Sequence, residues 1–152
     1  LKPDASSAAW NAALLKLRQG DFTQGWPAFE ARWETEQMRS QRRQFLQPLW
    51  LGETSLHGKT ILIHAEQGFG DTLQFVRYLP RVAALGARVI LEVPPALLRL
   101  LSKAPGAAEV ISSEQFIRPS FDYHCPLMSL PLAWMSWKVE VVSRSFSCRP
   151  RR

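Results

Sequence analysis

The chain has 152 residues, of which 46% are hydrophobic and 21% are charged. These values fit one ordinary globular domain, or a small domain with an appendage, and they exclude a disordered chain, a collagen-like fibre and a disulfide miniprotein. The net charge is +6, but residues 138–152 hold five basic residues and one acidic residue, so the rest of the chain is nearly neutral and a nucleic-acid partner is not expected.

The two cysteines and the apolar runs indicate the compartment. Cys125 and Cys148 form no spacing typical of a metal site or a disulfide framework, so we expect a reducing, cytoplasmic location and no bound metal. No apolar run is long enough to predict a membrane span. The chain shows no signal-peptide pattern and no initiator methionine, and we expect that residues preceded it or that it is a fragment.

Residues 1–45 are predicted to form a helical hairpin. Ser6 or Ser7 is predicted to cap a first helix that runs to Leu17, and Gly20 and Asp21 end it. A second helix is predicted from about Thr23, with a proline in its first turn. The predicted apolar positions are Trp10, Ala13, Leu14 and Leu17 on the first helix, and Trp26, Phe29 and Trp33 on the second.

Residues 46–134 are predicted to form a Rossmann-like α/β unit with a parallel sheet. Short aliphatic runs at 59–65, 87–93 and 109–111 and a fourth segment at 121–125 read as buried strands. A helix is predicted from Thr72 to Leu85, kinked or shortened by Pro80, and a second from Pro95 to Lys103. Before the first strand, Trp50 and Leu51 are predicted to fill an apolar groove and order the linker.

The turn after the first predicted strand, 66–71, is the leading candidate site, because parallel sheets bind ligands beyond the carboxyl ends of their strands. Gly68 and Gly70 allow the backbone to approach a ligand, and a helix start offers free N–H groups to an anion. Asp71 is either a general base that takes a proton from an acceptor hydroxyl or only a helix cap.

Two other interpretations of this turn are weaker. A dinucleotide site would use the glycine pair and Glu92, but the third glycine of that fingerprint falls on Leu73. A P-loop is rejected because no Gly-Lys-Ser/Thr follows. His64 and His124 end predicted strands, where a histidine either faces the ligand cleft or is a hydrogen-bonded structural residue.

The hairpin resembles a tetratricopeptide repeat. Residues 19–22 (QGDF) match the turn between the two helices of that repeat, and Ala13, Gly25 and Phe29 match its small and aromatic positions. Residues 1–4 look like the end of a preceding repeat. The resemblance implies a protein partner bound through the hairpin.

Residues 64–80 (HAEQGFGDTLQFVRYLP) resemble the signature block of bacterial tetratricopeptide-repeat glycosyltransferases, with flanking similarity at 48–53 and 121–132. That family is similar to the heptosyltransferases, which have the GT-B fold of two Rossmann-like halves. The resemblance implies transfer of a sugar from a nucleotide-sugar donor to a hydroxyl of a protein or glycan acceptor, without a further cofactor. It implies Asp71 as the base, and substrate contacts from Glu66, Gln67, Gly68, Gly70, Gln74 and Arg77.

Residues 135–152 depart from this resemblance and read as an irregular basic tail, either an unusual terminus or a shifted reading frame. The second GT-B half, which binds the donor, has no counterpart in the chain. The resemblance therefore implies an acceptor-side half that is inactive, or nearly so, by itself.

Overall fold

A computed structural model describes residues 5–137, and this part of the chain forms two units that divide between Gln44 and Phe45. The predicted repeat end at 1–4 and most of the predicted tail, residues 138–152, lie outside the described residues. Within residues 5–137, no helix combines the length and the apolar character needed to cross a bilayer.

The first unit is the expected helical hairpin. Helix α1 spans Ala5–Arg18 and helix α2 spans Phe22–Phe29, and the two pack against each other. Asp21 caps α2 by accepting a hydrogen bond from the backbone N–H of Gln24 at 3.1 Å. A 3₁₀ turn, Glu30–Glu34, and a short helix α3, Glu36–Arg39, complete the unit.

Two predictions for the hairpin are wrong. Helix α1 begins at Ala5, so Ser6 and Ser7 are residues of its first turn and not its cap. Of the apolar stripe predicted on α1, only Ala13 is buried, and Leu14 is 41% exposed. The reason is that α2 is short and covers one narrow strip of α1, along which Gly25 approaches Leu17 so closely that a Cβ atom would lie 2.6 Å from it.

The second unit is built on an all-parallel sheet, which confirms the predicted Rossmann-like α/β fold. Within the described residues the sheet has four strands in the order β3-β2-β1-β4. Parallel neighbours need a connection that returns the chain to the same end of the sheet. Helices provide this connection between β1 and β2 and between β2 and β3. The strands are β1 Thr60–His64, β2 Arg88–Val93, β3 Glu109–Ser112 and β4 Tyr123–Pro126.

The crossover from β1 to β2 contains two short helices instead of one. Helix α4 spans Phe69–Phe75, a 3₁₀ turn spans Val76–Tyr78, and helix α5 spans Leu79–Ala83. Pro80 lies in the first turn of α5, where its missing N–H costs no hydrogen bond. The helix is therefore interrupted before this proline, as predicted. The predicted start at Thr72 is three residues late, because Gly68 is the N-cap of α4.

The remaining elements follow β2 and β4. Helix α6 spans Pro95–Leu101 between β2 and β3. A 3₁₀ turn, Leu127–Ser129, follows β4 directly, and the chain is helical from residue 130 to residue 137, a segment labelled α7 below.

One face of the sheet carries an apolar cluster formed by residues of three neighbouring strands. Leu62, Ile90 and Ile111 are buried there, and Phe45 and Phe121 pack against them. Burial of such side chains contributes about 1.5–3 kcal/mol each, so this cluster contributes to the stability of the unit.

The linker before β1 is ordered, as predicted for Trp50. Residues 48–50 run parallel to β4 beside His124, with Trp50 N–H donating to the His124 carbonyl at 2.9 Å and His124 N–H donating to the Pro48 carbonyl at 3.1 Å. The Trp50 side chain is buried, and its indole N–H donates to the Thr54 carbonyl at 2.9 Å. The outer edge of β4 is thereby covered.

Candidate functional site

The strand order places the candidate site between β1 and β4. From β1 the chain moves outward to β2 and β3, and it then returns to the other side of β1 to form β4. In parallel sheets the crevice beyond the carboxyl ends of the strands at such a reversal is the preferred ligand site. The residues that follow β1 and β4 form this edge, and they include the predicted turn 66–71.

The two glycines of the turn leave its outer surface open. Gly68 and Gly70 are exposed, and a Cβ atom on Gly70 would meet no atom within 4 Å. Neither glycine has the left-handed backbone that excludes other residues. The two glycines thus leave open space at this edge of the sheet. The close approach of a ligand to their backbone stays a prediction.

Asp71 is in the first turn of α4 and does not cap it. The N-cap residue is Gly68, and its carbonyl accepts hydrogen bonds from Thr72 through the backbone N–H at 3.1 Å and the hydroxyl at 3.2 Å. The Asp71 side chain is half-buried and makes no hydrogen bond or ion pair within residues 5–137. The interpretation of Asp71 as a helix cap therefore loses its physical basis, and the carboxylate is available to another group.

Glu66 connects the two sides of the crevice. Its Oε1 atom accepts a hydrogen bond at 3.0 Å from the backbone N–H of Met128, which lies in the 3₁₀ turn after β4. That N–H belongs to the start of a helical segment and has no carbonyl partner within its own turn. Glu66 thus has a structural contact in addition to its predicted role toward a substrate.

The other predicted contact residues differ in how exposed they are. Gln67 is half-buried in the turn, while Gln74 and Arg77 are exposed, Gln74 on α4 and Arg77 on the turn that follows it. The Arg77 guanidinium lies over the ring of Tyr78, 5.8 Å from its centroid. Because α4 has only seven residues, it sums few peptide dipoles, and its N-terminus offers a weak field to an anion.

His64 and His124 form a buried pair below the crevice. The Nε2 atom of His64 lies 3.3 Å from the Nδ1 atom of His124, and Phe45 packs on both rings with centroid distances of 5.3 and 4.6 Å. Both side chains are buried. Of the two alternatives open from the sequence, the structural one describes this pair.

Glu92 is buried at the end of β2, in register with His64. Its Oε2 atom accepts a hydrogen bond from Arg118 Nε at 2.5 Å, in an ion pair that also neutralises the carboxylate. A ribose-binding acidic residue must present its carboxylate to the ligand, so this geometry does not favour the dinucleotide interpretation.

The sequence reasoning missed these two pairs because each joins residues far apart in the chain. A signal for the histidine pair exists in the pattern, since both residues lie at the ends of strands predicted to be buried. No local signal marks Arg118, which lies in an irregular segment between β3 and β4. Among residues 5–137, no group of three His, Cys, Asp or Glu side chains is arranged to hold a metal ion.

The comparisons with known proteins give one partial match. No family model matches the chain, and no solved structure matches it. The protein FlbA of Caulobacter vibrioides is 33% identical to it over 84 residues. The aligned stretch covers 55% of this chain but 14% of FlbA, so the chain spans only a small part of that protein's length.

These findings correct the family resemblance drawn from the sequence. FlbA does not carry the name of a glycosyltransferase, and neither a family model nor a solved structure supports a tetratricopeptide-repeat glycosyltransferase. The assignment to that family is wrong. What stands is the parallel α/β fold and the geometry of the crevice.

Proposed function

We propose that the α/β unit binds a hydroxyl-bearing acceptor at the β1–β4 crevice and that Asp71 takes the hydroxyl proton during transfer of a sugar from a nucleotide-sugar. The observation that carries the proposal is the Asp71 carboxylate, which is half-buried at the strand-order reversal and uncommitted within residues 5–137. A carboxylate without a partner of its own can accept the proton of an acceptor hydroxyl.

The surroundings of Asp71 suit a bound acceptor. The exposed glycines at 68 and 70 leave room beside the carboxylate, and the contact between Glu66 and Met128 holds the turn against the start of the segment after β4. Gln67 lies in the same turn and is half-buried, and in this proposal its amide bonds an acceptor hydroxyl. The acceptor in this proposal is a protein or a glycan, in a reducing, cytoplasmic compartment in which the buried Cys125 thiol stays reduced.

The test is binding, because the chain is proposed to supply the acceptor side. Backbone amide signals of ¹⁵N-labelled protein are recorded during titration with a panel of methyl glycosides. We expect shifts at Gly68, Gly70 and Asp71 with at least one glycoside, and weaker binding by the Asp71→Asn variant. A panel that shifts none of these signals, or shifts only signals of the helical unit, would contradict the proposal.

A second candidate function belongs to the helical unit, and exposed apolar side chains favour it. Leu15 on α1 is 56% exposed and Phe22 at the start of α2 is 54% exposed. A hairpin with apolar residues on its outer side is a suitable surface for an apolar helix of a protein partner. In this alternative the α/β unit serves as a scaffold.

Cross-linking in cell extract separates the two functions. A hairpin partner should be lost with Leu15→Glu and Phe22→Glu, and it should be kept with Asp71→Asn. The matched control is Leu100→Glu, which changes an equally apolar and 67% exposed residue on α6. Loss of the partner in the Leu100→Glu variant as well would contradict docking on the hairpin.

A further inference from the structure

Two arginines and two aromatic rings form a surface cluster on the α4–α5 segment and α7. The guanidinium of Arg81 lies 5.4 Å from the ring centroid of Tyr78 and 5.5 Å from that of Trp134. Arg77 lies over the same Tyr78 ring at 5.8 Å. The Tyr78 ring thus makes cation–π contacts with two arginines, and Arg81 makes such contacts with two rings.

The cluster lies on a well-packed part of the unit. The Tyr78 ring stacks on the buried Phe75 ring, with centroids 6.2 Å apart and planes 20° apart. The next residues pack tightly on the segment before β3, because a Cβ atom on Gly106 would lie 2.4 Å from Pro80 N. The ring of Tyr78 therefore rests on a buried neighbour, and the backbone that follows Tyr78 is tightly packed.

The charges of the cluster are not neutralised inside the described part of the chain. Arg88 and Arg118 pair with Glu109 and Glu92, whereas Arg77 and Arg81 have no carboxylate partner and no hydrogen bond within residues 5–137. Both arginines are exposed. Both guanidinium groups lie within 6 Å of the Tyr78 ring centroid, so their like charges repel and a bound anion reduces that repulsion.

Stacking on an aromatic ring leaves these guanidinium groups able to bind an oxyanion. A guanidinium group that lies against an aromatic face keeps its in-plane N–H donors free, and these donors match the oxygens of phosphate and carboxylate. A phosphate monoester carries close to two negative charges at neutral pH and has three acceptor oxygens. It therefore balances two arginines, which a single carboxylate does not.

We propose that Arg77 and Arg81, held by Tyr78 and Trp134, form a binding site for the phosphate group of a small soluble ligand. The half-buried Trp134 ring beside Arg81 offers an apolar surface to the organic part of that ligand. The site does not depend on Asp71, so it stands or falls separately from the proposed function.

The test uses the full chain and inorganic phosphate, followed by glycerol 3-phosphate. Binding is measured by calorimetry at low salt and by the shifts of the arginine Nε–Hε signals in labelled protein. We expect two Nε–Hε signals to shift, and we expect Arg81→Gln and Arg77→Gln each to weaken binding about tenfold. Arg81→Lys should weaken it severalfold, because lysine keeps the charge and lacks the planar fork.

The control variant is Arg99→Gln, which removes an exposed arginine from the last turn of α6. Unchanged affinity in this variant supports the site. Equal weakening by Arg99→Gln and Arg81→Gln would show a general charge effect and overturn it. The Nε–Hε shifts come from the unaltered protein, so a variant that fails to fold does not decide the result.

A lipid source is distinguished by vesicles that contain phosphatidic acid. Binding to both soluble phosphates with little gain on vesicles supports the proposal. Binding to the vesicles without a response to inorganic phosphate or glycerol 3-phosphate would overturn it, because the ligand is then a membrane surface and not a small soluble phosphate.

Discussion

Gly106 shows at the scale of one residue how a tight contact restricts the sequence. It has a left-handed backbone, with φ of +85°, and its Cα faces the backbone of Leu79 and Pro80. Gly58 has a similar φ of +70°, but a Cβ atom there would meet no other atom within 4 Å. A substitution at Gly58 therefore measures the cost of backbone strain alone. A substitution at Gly106 measures that cost together with the cost of a steric clash.

We expect Gly58→Ala to lower the free energy of unfolding by about 1–2 kcal/mol, the cost of the left-handed conformation alone. Gly106→Ala should cost about 3 kcal/mol or more, because the new methyl group also displaces the Pro80 backbone. Urea unfolding followed by circular dichroism measures both. Equal losses would show that the segment before β3 yields to a methyl group without cost.

Glu66 offers a second test at the residue scale. Glu66→Ala leaves the Met128 N–H without its acceptor and should lower the free energy of unfolding by about 1–3 kcal/mol. Glu66→Gln keeps an acceptor oxygen at the same place and should cost less than about 1 kcal/mol. The same urea titration distinguishes them, and a Gln variant as unstable as the Ala variant would indicate that the charge, and not the hydrogen bond, matters.

At the scale of elements, residues 48–50 act as an edge cover for the sheet. They exchange two backbone hydrogen bonds with His124 and continue into the buried Trp50 side chain. A covered edge cannot pair with the sheet of another chain, so this linker protects β4 from association. The position of residues 48–50 depends on the buried side chain of Trp50.

Trp50 variants measure that dependence. Trp50→Ala should lower the free energy of unfolding by about 3–5 kcal/mol, because it empties a buried site of this size. Trp50→Phe keeps most of the apolar surface and loses the hydrogen bond to the Thr54 carbonyl, at a cost of about 1–2 kcal/mol. Thermal unfolding and light scattering record stability and association, and an Ala variant as stable as the Phe variant would contradict this role.

At the scale of the whole molecule, the described chain has two units joined through irregular residues near Arg42 and Arg43. Arg42 is 52% exposed in its side chain and lies outside any helix or strand. Exposed irregular segments are the preferred sites of proteolysis. The two units are therefore expected to separate at this point before either is digested.

Brief trypsin treatment should cut first after Arg42 or Arg43 and release a fragment that begins at Arg43 or Gln44, as read by mass spectrometry. The double variant Arg42→Gln, Arg43→Gln should slow this first cut at least about tenfold, since cleavage then needs local unfolding elsewhere. A first cut inside α5 or α6 in the unaltered chain would contradict the division into two units.

The sequence alone determined the local elements of both units. Aliphatic and β-branched runs predicted β1, β2 and β3, and Pro80 predicted the break that separates α4 from α5, because strand burial and helix termination are decided by neighbouring residues. The same local pattern placed Asp71 at the carboxyl end of β1. Helix α1 marks the limit of this reasoning, since the pattern cannot say how much of a stripe a short partner helix will cover.

Only the tertiary structure decided which residues meet at the candidate site. The contacts between His64 and His124 and between Glu66 and Met128 join positions 60 and 62 residues apart, and Glu92 and Arg118 are 26 apart. These pairs exist because β4 lies beside β1 instead of beside β3, and strand order depends on the packing of the whole unit. The physical reason is that a period of hydrophobic residues specifies which face of a strand is buried and carries no information about its neighbour in the sheet.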